Sequence, residues 1–343
     1  VLRQPELAET LRTIARAGRD GFYAGPVAED IVACLRSLGG LHAMDDFVAH
    51  RSEHVAPLKS RYRGWDVHQC PPNGQGIAVL VMLGILEGFD LAGLAPLGAE
   101  RLHLQAEATR LAYHLCEGAL GDPAQAEVPV EDILAPDNIA RLRRRVSADR
   151  AIDDLPVTAP LHPETVCLSV VDRERNAVSF INSICFAFGT GIVSPNTGVV
   201  LHNRGAGFHI EPGHPNCIAP GKRPRHTIIP GLVLKDGRPV LPFGVMGGQF
   251  QPVGHVHLLT NLVDFGLDLQ QAIDLARAFH FGGVYGLERG IGEVAAADLR
   301  ALGHATERVA APWGSAQAVW IDWEKGSLVG ASDPRKDGLA LGY

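Results

Sequence analysis

The stretch AIDDLPVTAPLHPETVCLSVVDRERNAVSFINS, residues 151–183, is where the reading of the fold turns. Its first part, residues 151–164, is polar and carries Pro156, Pro160 and Pro163, the composition of an exposed linker. After it the apolar period drops from 3.6 to 2. Residues 166–172 and 177–183 read as two strands around the turn Arg173-Glu174-Arg175-Asn176, the pattern of a β-hairpin. A hairpin pairs its strands antiparallel without a crossover helix. The pattern therefore favours a layered α+β sandwich over a doubly wound parallel sheet.

Upstream the texture is helical. Residues 5–17 and 26–38 carry apolar side chains three and four apart, and each run ends at glycine (Gly18; Gly39-Gly40). Residues 76–88, after the turn-rich Pro71-Pro72-Asn73-Gly74, predict an almost wholly apolar helix, and residues 97–116 a longer amphipathic one. Residues 123–130 break the pattern, and 137–146 resume it with a basic face of Arg141, Arg143, Arg144 and Arg145. Downstream of the hairpin, strands are expected at 231–235 and 316–323, and helices at 254–265, 269–279 and 294–303. Nothing repeats internally, which excludes a solenoid.

Composition narrows the function. Of 343 residues, 46% are apolar and 20% charged, so the chain as a whole is not disordered. Lys plus Arg number 31 against 38 acidic residues, a net charge of −7 with no five-residue basic run, which argues against nucleic acid and anionic membranes as partners. The longest apolar stretch, Ile77 to Leu86, is about half a membrane-spanning length. Six cysteines lie far apart with no C-x-x-C pair and read as free, buried thiols rather than a disulfide framework or a zinc knuckle. With no leader visible, the expected location is cytoplasmic. The chain does not start with Met and reads as a fragment or a processed product.

Signatures of several chemistries are missing: no G-x-S-x-G elbow, no H-E-x-x-H and no Walker loop. Neither a metal nor another cofactor is expected. His255 and His257 stand on different faces if their context is helical, and His209, His214 and Cys217 lack zinc-ligand spacing. Two features remain. Thr165 stands where the proline-rich linker meets the first strand. A threonine hydroxyl is a weak nucleophile until a base takes its proton. Cleavage between Glu164 and Thr165 would create that base, an α-amine whose pKa of about 8 lies near neutrality. On spacing alone, Thr165 reads as an ordinary β-branched residue opening a strand. The second feature is Gly244-Val245-Met246-Gly247-Gly248, whose paired glycines after an apolar strand allow backbone N–H groups to approach a ligand, as an oxyanion hole needs, or simply make a tight turn.

Taken together these segments resemble the γ-glutamyltransferase (γ-glutamyltranspeptidase) family of N-terminal-nucleophile hydrolases. The likeness runs through Thr165-Val-Cys-Leu-Ser-Val-Val-Asp172, Asn176-Ala-Val-Ser, Phe188-Gly-Thr-Gly-Ile-Val193, Gly198-Val-Val-Leu-His-Asn203 and Lys222-Arg-Pro224. It continues through Pro230 to Pro239, Gly247-Gly248, Asp264-Phe-Gly266 with Gln271-Ala272, and Gly330-Ala-Ser-Asp-Pro-Arg-Lys-Asp-Gly338. Upstream, Gly21-Phe-Tyr23, Gly39-Gly40 and Pro71-Pro72 match the end of that family's large subunit. The resemblance implies a four-layer α-β-β-α sandwich and a precursor that cuts itself before a threonine. Residues 1–164 would then be the C-terminal part of a large subunit and 165–343 a small one, intertwined as one domain. It also implies Thr165 as nucleophile, Ser183 as the hydroxyl that contacts its amine, and the Gly247 and Gly248 N–H groups as the oxyanion pair.

Departures from the family pattern bear on substrate. Cys185 stands where the family has Asn. The Asp-Asp-Phe that binds a substrate α-ammonium is replaced by Ala206-Gly207-Phe208, and the Ser-Ser pair that clamps the α-carboxylate by His226-Thr227. Without the acids, an ammonium would be left unpaired at a cost of a few kcal/mol. The family's substrate-binding arginine belongs to a more N-terminal portion than this chain holds. The set resembles more closely the branch that includes oxamate amidohydrolase: Arg204, Arg225 and His226 are left to meet an anionic acyl group, although either arginine also reads as a loop brace. Cys185 reads as a strand-packing thiol, no paired base being visible. The expectation is an autoprocessing threonine amidohydrolase acting on a small carboxylate-bearing amide. A true γ-glutamyltransferase or glutathione hydrolase is the first alternative, and an inactive anion-binding relative the second. The expected partners are the substrate and the two subunits of one precursor, with a homo-oligomer open.

Overall fold

The computed structural model describes residues 1–155 and 165–343; most of the predicted linker, with Glu164 and its three prolines, lies outside the described residues. In chain order the elements are α1 (Pro5–Tyr23), α2 (Pro26–Ser37), α3 (Met44–Val48), β1 (Leu58–Tyr62), β2 (Trp65–Gln69), α4 (Gly76–Leu86), α5 (Ala99–Ala119), α6 (Val130–Leu134), α7 (Pro136–Arg143), β3 (Val166–Val171) and β4 (Ala177–Asn182). There follow β5 (Gly231–Lys235), β6 (Arg238–Met246), α8 (Phe250–Val263), α9 (Leu269–Asp274), β7 (Ala278–Phe281), β8 (Val284–Leu287), α10 (Glu293–Ala301), β9 (Thr306–Arg308), β10 (Ser315–Asp322) and β11 (Ser327–Ser332).

The described residues form two compact units. The first comprises residues 1–55 and 184–204. Here α1 kinks at Gly18, whose φ of 59° is left-handed, so the predicted helix end becomes a bend within a longer element. The buried Asp30 of α2 ties down the 184–204 segment. It accepts hydrogen bonds from the Asn196 N–H (3.1 Å), the Asn196 amide (2.7 Å) and the Thr197 hydroxyl (2.8 Å).

The second unit comprises residues 56–183 and 205–343. Its centre is a six-stranded antiparallel sheet in the order β1-β2-β5-β6-β10-β11. Neighbouring residues of β6 face opposite ways, as a strand requires. A Cβ at Gly244 would meet Cys167 of the β3–β4 hairpin, whereas Val245 packs on Gly254 of α8. The hairpin thus covers one face of the sheet, and the helical layer built on α4 and α8 covers the other. These are three layers of the α-β-β-α sandwich. The hairpin is drawn close at Cys167, Ser169 and Ser179, whose side chains are small. Ser179 Oγ donates to the Phe243 carbonyl (2.6 Å) and Ser169 Oγ to the Gln317 carbonyl (3.2 Å). Its outer face carries Val166, Leu168, Val170, Val178 and Phe180, all exposed.

Several expectations need correction. The first 150 residues are mostly helical as expected, but hold a hairpin that sequence reading missed: β1 and β2 turn around Arg63 and Gly64 (φ 48° and 85°), a two-residue turn with both centres left-handed, and join the central sheet through β5. The supposed break at 123–130 leads into α6 at Val130. The first half of α5 is not amphipathic; residues 101–109 are buried on every side, including Arg101, His103 and Glu107. The helix expected to reach 279 stops at Asp274, where Leu275 turns extended (ψ 136°), and Ala278–Phe281 pairs with β8 instead. Ala151 and Leu155, within the supposed exposed linker, are buried. All six cysteines are free, but only Cys116, Cys167 and Cys185 are buried. Among the described residues no helix is long and apolar enough to cross a membrane.

Candidate active site

Thr165 immediately precedes β3. It is 6% exposed, and its hydroxyl has no hydrogen-bond partner among the described residues. A buried hydroxyl without a partner costs free energy on the order of 1–3 kcal/mol, so its position calls for a reason. The hairpin register supplies context. Val166 pairs with Asn182, so one step further along the ladder Ser183 stands opposite Thr165. The two residues that resemblance singles out therefore flank the open end of one hairpin, each directly beyond its last paired residue.

Gly247 and Gly248 follow β6, with φ of 119° and 57°. Their carbonyls are engaged, Gly247 O by the Phe250 N–H (2.9 Å) and Gly248 O by the Gln251 N–H (3.2 Å) and the Gln75 amide (2.9 Å). Neither glycine N–H meets an acceptor among the described residues. A Cβ on Gly247 would lie 3.0 Å from the backbone of Gly314 and force a left-handed side chain, which fits the choice of glycine here.

Gln75 is a participant that sequence reading missed. It is buried, and the same side-chain nitrogen that holds Gly248 O also donates to Thr227 O (2.7 Å). Its own N–H donates to His226 O (3.0 Å), while the His226 N–H donates to Asn73 O (2.9 Å). The turn before α4 is thereby laced to residues 224–227 and to the glycine pair. The only advance signal was the turn itself, Pro71 to Gly74.

The predicted substrate-binding residues of this unit fall into place as follows. Thr227 is buried and His226 half-buried, with His226 Nδ1 accepting from the Ile228 N–H (3.2 Å). Gly207 ends a 3-10 turn, and its carbonyl accepts from Asn216 (2.6 Å). Arg225 is ion-paired with Glu117, and that carboxylate also meets His209 Nε2 at 2.9 Å. Burial alone would raise the Glu117 pKa; Arg225 outweighs it and holds the carboxyl below its usual range. Tertiary packing thus gathers His209 and His214 around Glu117, which sequence spacing did not indicate.

Cys185 and Arg204 belong to the first unit. Both are buried, and burial raises the Cys185 thiol pKa while Arg204 pulls it down. Cys185 occupies a bend with φ 78°, not a strand, which corrects its reading as a strand-packing thiol.

Two cavities of about 380 Å³ share Met246 and Lys336. Val166, Ser169 and Gln317 line one, Gly247, Trp313 and Gly314 the other. The Lys336 ammonium makes no ion pair or hydrogen bond among the described residues. A larger cavity, about 750 Å³, is lined by Gln271, Glu288, Arg289 and Arg335 and touches none of the candidate residues. Chemistry outweighs size here: one of the smaller cavities is lined by Val166, the residue after Thr165, and the other by Gly247.

Comparison with known proteins gives the same direction. A family model described as Gamma-glutamyltranspeptidase matches residues 1–343. The chain is 36% identical over 350 residues to the Glutathione hydrolase-like YwrD proenzyme of Bacillus subtilis, covering 99% of this chain and 66% of that one. It is 37% identical over 356 residues to the Oxamate amidohydrolase proenzyme of Klebsiella pneumoniae, covering 99% and 65%. Among solved structures, the cephalosporin acylase from Bacillus halodurans superposes with a TM-score of 0.92 at 36% identity, covering all of this chain and 64% of that one. The chain thus spans just under two thirds of the length of these relatives.

Proposed function

The chain belongs to the γ-glutamyltranspeptidase family, and on that premise we propose that it is the nucleophile-bearing part of an autoprocessing threonine amidohydrolase that cleaves a small carboxylate-bearing amide. The observation that carries the reading is the buried Thr165 hydroxyl at the open end of the hairpin, which has no hydrogen-bond partner among the described residues.

In this reading the precursor is cut between Glu164 and Thr165, leaving residues 1–164 in a large subunit and 165–343 as the small one. The freed α-amine takes the proton of Thr165 Oγ1 as that oxygen attacks the amide carbon. The carbonyl oxygen, now negative, is met by the N–H groups of Gly247 and Gly248. The ammonium then protonates the leaving nitrogen, the C–N bond breaks and an acyl ester remains on Thr165. Water attacks the ester by the same route, its proton passing to the amine, and returns Thr165 with release of the carboxylic acid. Ser183 contacts the α-amine and holds it beside Oγ1. In the uncut chain the Thr165 nitrogen is an amide and cannot act as base, so processing and turnover are coupled.

The substrate class follows from charge. Ala206-Gly207-Phe208 offers no acid to an α-ammonium, whereas Lys336 stands on the wall shared by both cavities and offers a cation to a carboxylate. His226, Thr227 and Gly207 form a polar margin laced by Gln75. Arg225, committed to Glu117, braces that margin; Cys185 and Arg204 are assigned to substrate on resemblance alone. One relative of comparable identity is named an oxamate amidohydrolase and another glutathione hydrolase-like, and the missing acids favour the former class here.

Intact mass spectrometry with N-terminal sequencing tests the reading. A fragment beginning Thr-Val-Cys-Leu, together with turnover of an α-oxo amide exceeding that of a γ-glutamyl anilide, is the expected result. Thr165→Ala should remain uncut and inactive. An uncut but active wild-type chain would refute the mechanism.

A further inference from the structure

We propose that His103, Glu107 and His304 form a three-ligand site for a divalent ion of the zinc class, separate from the Thr165 site. Each offers one ligand atom, and these atoms lie within 4.8 Å of one another. His103 and Glu107 are four residues apart on α5 and so share a helix face; His304 arrives from the turn after α10. All three are buried, none more than 3% exposed.

Proton placement decides what the cluster presents. His103 Nε2 lies 2.7 Å from the Ser147 carbonyl, which can only accept, so Nε2 carries the hydrogen and a neutral ring turns its Nδ1 lone pair inward. A backbone carbonyl in this role is what orients a metal-ligating imidazole. Glu107 is oriented too: Oε1 accepts from Arg110 and Oε2 from the Ile152 N–H, each at 2.8 Å, and each oxygen keeps a further lone pair. His304 Nε2 therefore donates to His103 Nδ1 (2.7 Å) in the metal-free protein; an ion displaces that proton, and His304 Nδ1, buried with no partner among the described residues, carries the ring hydrogen instead.

Two imidazole nitrogens on a tetrahedral zinc at about 2.05 Å stand about 3.3 Å apart, so the histidine pair must part by roughly 0.6 Å to admit the ion. Room exists on one side. The His304 ring lines a cavity of about 270 Å³ shared with Arg110, Tyr113 and His280, which supplies a path of entry and an open position for water. Imidazole with one carboxylate is a donor set for zinc, nickel or cobalt rather than for calcium or magnesium. Arg110 opposes the ion's charge and tempers its affinity.

The test uses the whole chain, stripped with chelator and titrated with Co²⁺ or loaded with Zn²⁺ and measured by elemental analysis. One ion per chain, the visible absorption of tetrahedral Co²⁺ and a rise in Tm with metal are expected. Glu107→Gln, nearly isosteric, and His103→Asn, which keeps a donor for Ser147, should each weaken binding more than roughly tenfold. Circular dichroism of the metal-free proteins separates this from loss of fold. His214→Ala, which disturbs the other His-containing group near Glu117, should leave binding unchanged. Absence of stoichiometric binding, its survival in both Glu107→Gln and His103→Asn, or its loss in His214→Ala would each overturn the proposal.

Discussion

Gly244→Ala probes how the nucleophile's hairpin is seated on the sheet. An added Cβ would fall well under 3.0 Å from Cys167 Sγ, whereas ordinary contact begins at 3.4 Å, so hairpin and sheet must separate by several tenths of an ångström or more. Overpacking of this kind costs about 1–3 kcal/mol. The separation also stretches the Ser179–Phe243 hydrogen bond, worth about 1 kcal/mol net. Together these put the loss at roughly 2–4 kcal/mol, or about 3–6 °C in Tm for a chain of 343 residues. Thr165 lies two residues from Cys167, and a misplacement of about 1 Å at a reacting group costs on the order of 10² in rate. The discriminating variant is Gly244→Ala with Cys167→Ala. The Cys167 Cβ lies 3.8 Å from the new methyl, ordinary contact, so removing Sγ should recover most of the lost stability and rate. Urea melts and α-oxo amide turnover on the four proteins of the cycle give the coupling energy, expected at about 1–3 kcal/mol. Wild-type stability in Gly244→Ala, or strictly additive losses in the double variant, would refute the packing account.

Other perturbations address the site from different sides. Gln75→Ala removes the donor shared by Thr227 O and Gly248 O and should lower kcat by roughly 10–10³ with little change in KM, because the oxyanion pair loses its alignment; an unchanged kcat would sink the assignment. Lys336→Met should raise KM for an anionic amide and leave a neutral amide unaffected, and equal effects on both would refute a role in charge recognition. Asp30 and Asp122 predict acid sensitivity. Burial alone would raise both carboxyls, but Thr197 and Asn196 lower Asp30, and Arg223 with the Ala124 N–H lowers Asp122. A folded-state pKa below the unfolded one stabilises above the ordinary carboxylate range and loses that contribution as pH falls through the folded value. The Tm should therefore drop below about pH 4, and Asp30→Asn should cost stability at pH 7 but progressively less in acid; a pH-independent difference would contradict this.

The change of period at Val166, the hairpin and the apolar helix α4 could all be read from sequence, because each is a local consequence of side-chain spacing on a helix or strand. The segments that most closely matched known sequences were likewise contiguous: Thr165 at its strand start, Gly247-Gly248 after β6. Features made by distant segments could not be read. Residues 275–281 favour a helix locally but gain a sheet partner in β8, and long-range pairing wins. The strand alternation of β3 did not say which side was inward; the small side chains Cys167, Ser169 and Ser179 face the sheet because Gly244 permits so close an approach. Gln75 carries no pattern at all and acquires its place only when the turn before α4 meets residues 226–227 and 248. His103 and Glu107 do share a helical spacing, yet His304 is 201 residues from His103. Periodicity follows from the backbone's own geometry and is written in each segment, whereas the partners of a buried polar atom depend on which surfaces the whole chain brings together to exclude water.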